Sequence, residues 1–350
     1  MIDQAFAPVA AALDAGLIPG AALGIVTADG RVETRVGGWA QVTPAREPLT
    51  ARHWFDLASV SKVVATTTMI LRLADEGRLD LDAPLTTAIP DLRQYDLGAY
   101  ERTLTFRDCL SHRTLLPAVA PVYTYGDDAQ RLRAFVLQRE WERIEAPVYS
   151  DINFMLLGIA IERITGRPLG AWEVGDGLRY GPPPGPAVAT ERCSWRNRVL
   201  RGEVHDENCF AMGGETGHAG LFGTVDGVLG FARGILTGAF SPAMLAAIRT
   251  PVNGHRTCGW DKAHRGWPGG DACSPETIGH TGFTGTGLWI DFARGLAWTL
   301  LTNRVHPTRH SEAAQSIFTL RPAVGEAVIA VLDQPSRARG KGPGERGSPG

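Results

Sequence analysis

Two stretches of strand character lie at opposite ends of this 350-residue chain, with helix and loop patterns filling the span between them. Residues 21–40, AALGIVTADGRVETRVGGWA, alternate apolar and polar side chains around Asp29-Gly30, a dipeptide favoured in tight hairpins, and so predict two antiparallel strands. Residues 286–292 and 296–303, containing GLWIDF and LAWTLLTN with Ala293 to Gly295 between them, predict a second hairpin. A sheet must bury at least one face, so the two ends are expected to share one antiparallel sheet, with a mostly helical region inserted between them. The fold class is α+β.

The inserted region has its own punctuation. Residues 60–76 are apolar at helical spacing and stop near Gly77, while DINFMLLGIAIERITGRPL repeats the pattern and stops at Gly166 and Pro168. TFRDCLSHRT reads as a short helix, PLTTAIPDLRQYDLGAY as a loop, and GPPPGP at 181–186 as irregular. Residues 2–17 read as an amphipathic helix and 311–333 as a closing helix that Pro322 breaks or kinks. We expect one domain over 1–335, its sheet region about 1–55 and 255–335 and its helical region about 56–254, followed by a disordered tail at 336–350.

Composition excludes several function classes. The 37 acidic residues nearly cancel the 35 Lys and Arg, for a formal charge of −2, so nothing draws the chain toward nucleic acid or an anionic membrane. No apolar run long enough to span a bilayer is read, and the first residues, with Asp3 and Asp14, lack the pattern of a secretory signal; a cytoplasmic protein without membrane insertion is expected. Five dispersed cysteines without a C-x-x-C pair argue against a disulfide framework and a thiolate zinc site.

Three short motifs carry chemistry. Ser59-Val60-Ser61-Lys62 opens the helix of 60–76, and positions three apart on a helix lie on one face, so Ser59 and Lys62 can touch. A serine hydroxyl needs a neighbouring base, and a desolvated lysine with a lowered pKa can serve; the helix N-terminus adds N–H donors for a developing oxyanion. S-x-x-K alone is weak, arising by chance roughly once in a chain this long. Tyr149-Ser150-Asp151 precedes the second helix, with Asp151 as its cap and Tyr149 able to relay protons. Standing alone, it would read as a structural aromatic. His280-Thr281-Gly282-Phe283 leads into a strand, where an edge position would offer the Phe283 N–H as a second oxyanion donor beside that of Ser59. The bland alternative is a glycine-rich turn.

In this order and spacing, the three motifs resemble those of the serine beta-lactamase and penicillin-binding-protein superfamily, above all its class C-like esterases and DD-peptidases. TFRDCLSH, the YSDINFMLLGIAIERITGRPL helix and GHAGLF at 218–223 extend the resemblance over roughly 15–335. It implies that Ser59 is acylated, that Lys62 accepts its proton, that Tyr149 manages protons, and that Thr281 and Gly282 bind substrate on an edge strand. Asp151 stands where many members have Asn, and His280 where many have Lys. A largely neutral imidazole there weakens the expected hold on a substrate carboxylate, which favours small esters or amides over penicillins and D-Ala-D-Ala termini. No cofactor or metal is expected. The alternatives are a penicillin-recognising DD-carboxypeptidase or beta-lactamase, and a non-catalytic binding protein that has kept the cleft.

His205-Asp206-Glu207-Asn208 reads as a hydrogen-bonded cluster near the site, without metal-ligand spacing. Gly213 to Gly220 reads as a loop lining the cleft, and Trp260, Trp267 and Trp289 as candidate substrate contacts.

Overall fold

The seven strands that form the main sheet come from the two ends of the chain: β1 Gly20–Thr27, β2 Val32–Gln41, β3 Glu47–Pro48, β4 Asp261–Lys262, β5 Thr277–Thr281, β6 Gly287–Asp291 and β7 Leu296–Thr302. In this computed structural model, which describes residues 1–333, they lie in the order β3-β2-β1-β7-β6-β5-β4, antiparallel throughout. The joint between the ends is β1 against β7, registered from Ala21 opposite Thr302 to Thr27 opposite Leu296. Both predicted hairpins form. The expected tail at 336–350 lies outside the described residues.

β1 is buried along its whole length, which explains why it is apolar throughout rather than alternating. Ala21, Leu23 and Ile25 pack with Phe6, Val9, Trp298, Val324 and Val328 of one core cluster; Ala22 and Val26 face a second, larger core built on the helical region. Gly24 lets helix Val225–Leu236 approach, because a Cβ there would lie 2.7 Å from Leu229 and 2.8 Å from Val225. Trp289 and Trp298 sit directly opposite each other on β6 and β7 and stack, with centroids 5.7 Å apart.

Several helices differ in detail from their periodicity. The first divides at Phe6 into Ile2–Ala5 and Ala7–Asp14. The helix after Ser59 widens into a π-helix over Lys62–Thr67 and continues as an α-helix over Thr68–Asp75. The closing helix breaks at Ser316, into Glu312–Gln315 and Ile317–Leu332, and runs through Pro322, whose missing hydrogen bond is to the turn carrying the exposed Phe318. By length and composition alone, the stretch Glu312–Leu332 is long and apolar enough to cross a membrane, which the sequence reading did not mark. Here it packs on the sheet through Ile317, Leu320, Val324, Val328 and Ile329. Helix Asp151–Thr165 stops as expected at Gly166, whose φ of 69° no β-carbon hinders. Thr105 and Asp108 form the capping box that starts Phe106–Leu110.

Candidate active site

Ser59 follows a turn set by a buried carboxylate. Asp56 ends a short strand, Phe55–Asp56, and accepts hydrogen bonds from the Ala58 N–H (2.8 Å) and the His205 N–H (2.6 Å). Burial pushes its pKa up against those donors. Ala58 takes a φ of 48°, which turns the chain sharply just before Ser59. The same turn is tied to the β5–β6 connection: Thr284 donates to the Asp56 carbonyl (2.8 Å) and Thr286 to that of Leu57 (2.9 Å). Gly282 lies so close that a Cβ would strike the Leu57 carbonyl oxygen and the Thr286 hydroxyl. The first and third motifs are thus locked together by backbone contact.

Lys62 is fully buried, and its ammonium lies 2.9 Å from Ser59 Oγ, 2.9 Å from the His218 carbonyl and 2.8 Å from Asp151 Oδ1. Burial disfavours the charge, but the Asp151 carboxylate and Tyr149 outweigh it and hold the Lys62 pKa above its ordinary value. This corrects the expectation of a lowered lysine pKa: the resting side chain has no lone pair for the Ser59 proton. It also corrects the capping role expected of Asp151: Ser150, not Asp151, is the N-cap of its helix, and the Asp151 carboxylate is the counter-ion to Lys62. The Tyr149 hydroxyl is buried against Ser59 and Lys62 and has no aligned hydrogen-bond partner among the described residues. Burial raises its pKa against the pull of Lys62, so it rests as a neutral phenol.

A cavity of about 370 Å³ opens on these groups, lined by Ser59, Tyr149, Arg256, His280 to Phe283, Trp267, Trp289, Arg304, Phe318 and Arg321 among others. Phe283 and Phe318 stand at its exposed rim. His280 is buried, and its pKa is pushed down to about 3, first by burial and then by Lys62 and Arg256, so it is neutral near pH 7 as expected. Its Nδ1 lies 3.0 Å from the Thr281 carbonyl, an arrangement in which Nδ1 carries the proton. β5 is not the sheet's edge, because Asp261 and Lys262 of β4 pair with Gly279 and Ile278. That two-residue strand stops short of Thr281, Gly282 and Phe283. The N–H groups of Ser59 and Phe283 make no hydrogen bond among the described residues, as donors awaiting an oxyanion must.

The 213–220 expectation changes, while the 205–208 cluster and two of the three tryptophans stand where the sequence put them. The 213–220 loop buttresses the site instead of lining it: Gly217 packs against helix Asp151–Thr165, where a Cβ would strike the Phe154 carbonyl, and His218 supplies the carbonyl for Lys62. His205 lies 3.1 Å from Glu191, Asp206 2.9 Å from His218 and Glu207 2.6 Å from Arg309, while Asn208 donates to the Ala120 carbonyl, so the 205–208 cluster supports neighbouring segments. Trp267 and Trp289 line the cavity; Trp260 does not. Motif reading missed His112, whose ring lies 4.5 Å from that of Tyr149 and whose Nδ1 accepts from the Ser150 N–H at 3.0 Å. Its signal was present in TFRDCLSHRT, where His112 takes a φ of 51° past the helix end. Arg256, Arg304 and Arg321 were also missed, and no local pattern marks them.

With this geometry in place, comparison with known proteins is decisive. Residues 5–320 match the Beta-lactamase family. The chain belongs to that family. Like its relatives it is a hydrolase, and the family acts on ester, amide or beta-lactam substrates through a serine acyl-enzyme. An N-acetylmuramyl-L-alanine amidase of Bacillus subtilis (strain 168) is 30% identical, with 86% of this chain and 80% of that protein aligned. A protein of Escherichia coli (strain K12) to which the description D-alanyl-D-alanine carboxypeptidase is ascribed is also 30% identical, over 72% of this chain and 69% of its own. Among solved structures, the beta-lactamase from Sulfitobacter sp. EE-36 superposes with a TM-score of 0.71 at 20% identity, covering 94% of this chain and 98% of that one. This family member shares the fold of such enzymes, with antiparallel sheet and helical region joined at the serine.

Proposed function

We propose that this enzyme hydrolyses amides or esters that carry a carboxylate, through an acyl-enzyme on Ser59, and that Arg256 anchors the carboxylate. The observation that carries the reading is the placement of Arg256. Its guanidinium shares the cavity with Ser59, lies 5.4 Å from the Tyr149 ring centroid, and has no carboxylate within ion-pair distance among the described residues. A half-buried cation beside a nucleophile, attracted by Asp261 of the same cavity but not ion-paired with it, favours an anionic ligand. It supplies the charge that the neutral His280 lacks, and so removes the sequence-based reason for disfavouring carboxylate substrates.

In this reading, Ser59 Oγ bonds to the substrate carbonyl carbon while its proton passes to Tyr149 Oη, and Tyr149 passes its own proton to the leaving nitrogen or oxygen. The carbon–leaving-group bond breaks and the acyl-enzyme remains; water then repeats the relay in reverse, freeing acid and serine. This exchange suits a neutral Tyr149 and a Lys62 whose charge the Asp151 carboxylate favours, since neither changes net charge. The Ser59 and Phe283 N–H groups face the oxyanion. In this reading His280, Thr281, Gly282 and Phe283, which line the cavity, contact substrate, and Asp151 acts through Lys62.

The test compares p-nitrophenyl acetate with mono-p-nitrophenyl glutarate. Wild type is expected to favour the anionic ester in kcat/KM by about 10- to 100-fold, the range for a hydrogen bond to a charged group, and Arg256→Ala to lose the preference. Intact-mass analysis should show an acyl adduct that Ser59→Ala abolishes. Equal rates for the two esters in wild type would sink the anion reading, and a lasting adduct with a penicillin would point to the penicillin-recognising alternative.

A further inference from the structure

Two arginines near the oxyanion peptide have no carboxylate partner within ion-pair distance among the described residues. Arg321, buried on the closing helix, donates through Nη2 to the Gly282 carbonyl (2.6 Å) and to that of Thr286 (2.7 Å). Arg304, also buried, donates through Nε to the Phe283 carbonyl (2.8 Å) and through Nη1 to that of Ala314 (2.8 Å). Both carbonyls flanking Phe283 are therefore held by guanidinium groups. The Gly282 N–H is engaged by the Thr286 carbonyl at 2.8 Å, whereas the Phe283 N–H is free among the described residues.

We propose that Arg321 and Arg304 are positioning residues for the Phe283 N–H: Arg321 aims and polarises the Gly282–Phe283 peptide through its carbonyl, and Arg304 fixes the following Phe283–Thr284 peptide, so that the N–H serves as a strong oxyanion donor. The proposal rests on the reading that Ser59 is acylated. In a trans peptide the C=O and N–H point in opposite directions, so a carbonyl pinned toward the closing helix turns the Phe283 N–H away from that helix. A cation on the carbonyl oxygen also draws electron density through the amide and makes its N–H a better donor. Burial of two guanidinium groups without counter-ions is unfavourable, and a neutral amide side chain would satisfy a merely structural need at lower cost. Burial lowers the Arg321 pKa to about 9, which still leaves it charged at neutral pH.

The experiment measures p-nitrophenyl acetate hydrolysis and phenylboronic acid inhibition for wild type, Arg321→Gln, Arg321→Lys and Arg304→Gln, with melting temperatures and acyl adduct masses. Losing an oxyanion donor outright lowers kcat by about 10²- to 10³-fold, so a misaimed donor in Arg321→Gln should lower it about 10- to 100-fold with KM nearly unchanged. Boronate affinity should fall in parallel, because boronate forms a tetrahedral adduct at the serine, and Arg321→Lys should recover part of both. A folded Arg321→Gln enzyme with wild-type kcat and boronate affinity would overturn the proposal. If that variant does not fold, Arg304→Gln decides by the same two readouts. Absence of a Ser59 adduct in wild type would remove the acyl-enzyme reading along with it, whereas a normal adduct with unaffected variants removes the clamp alone.

Discussion

Lys62 shows how a single substitution at a neighbouring position resets the proton inventory of a site. With Asp151 at 2.8 Å its charge is locked in, and the resting site holds an ammonium and a neutral phenol. In Asp151→Asn the carboxylate is gone while burial remains, so the lysine pKa should fall. We expect the wild-type kcat to show no titration of Lys62 between pH 6 and 9, and the variant to acquire a limb in that range; pH–rate profiles measured side by side check this. The two buried imidazoles give a second prediction. The His280 pKa is depressed to about 3 from 6.5, and that of His112 is also depressed, chiefly by burial. The unfolded chain therefore takes up protons that the folded chain refuses. Stability should fall as pH drops below about 6.5, by up to about 1.4 kcal/mol per pH unit per group, and continue falling toward the folded value. Urea unfolding at pH 7 and pH 5 should show a smaller acid loss in His280→Asn than in wild type; identical losses would contradict the assignment.

At the scale of elements, close backbone approach does most of the positioning. Gly282 is needed because the end of β5 runs against the Leu57 carbonyl, not because of its φ. Gly282→Ala should push the oxyanion peptide away from Ser59 and lower kcat for p-nitrophenyl acetate by about 10²-fold or more, the scale of a lost oxyanion donor, with a smaller change in melting temperature. β1 plays a different part, as the strand buried on both faces. Leu23→Ala removes a side chain wholly enclosed by the terminal helices and should cost about 2–5 kcal/mol, readable as a lowered denaturant midpoint without loss of kcat in the folded fraction. The π-helix at Lys62–Thr67 was invisible to periodicity, since those residues are buried on every side. Extra turn width of this kind often falls at functional sites, and here it begins at the lysine that touches Ser59.

For the whole molecule, the joint between β1 and β7 makes the N-terminal 41 residues depend on a strand some 280 residues away. A chain ending at His310 would keep every strand yet lose the helix whose Ile317, Leu320, Val324 and Val328 cover the sheet, and with it Arg321. We expect such a chain to expose that apolar face and to aggregate on size-exclusion chromatography, whereas ending it at Asp333 should leave a monodisperse, cooperatively unfolding protein.

Periodicity and turn chemistry determined the hairpin at each end, the helix closed by Gly166 and the α+β class, because those signals are local and repeat along the chain. The spacing of Ser59, Lys62, Tyr149 and His280 to Phe283 likewise made the catalytic candidates legible as motifs, although which proton each carries was not. Charge state depends on distance and burial, so only the folded chain decided that Lys62 is paired with Asp151, whereas the neutrality of His280 was already legible from the ordinary imidazole pKa and burial reinforces it. The same is true of Arg256, Arg304 and Arg321, which come from two connecting segments and the closing helix and meet at one cavity only when β1 joins β7 and that helix folds over the sheet. Their meaning lies in partners far away in sequence, which no window along the chain contains.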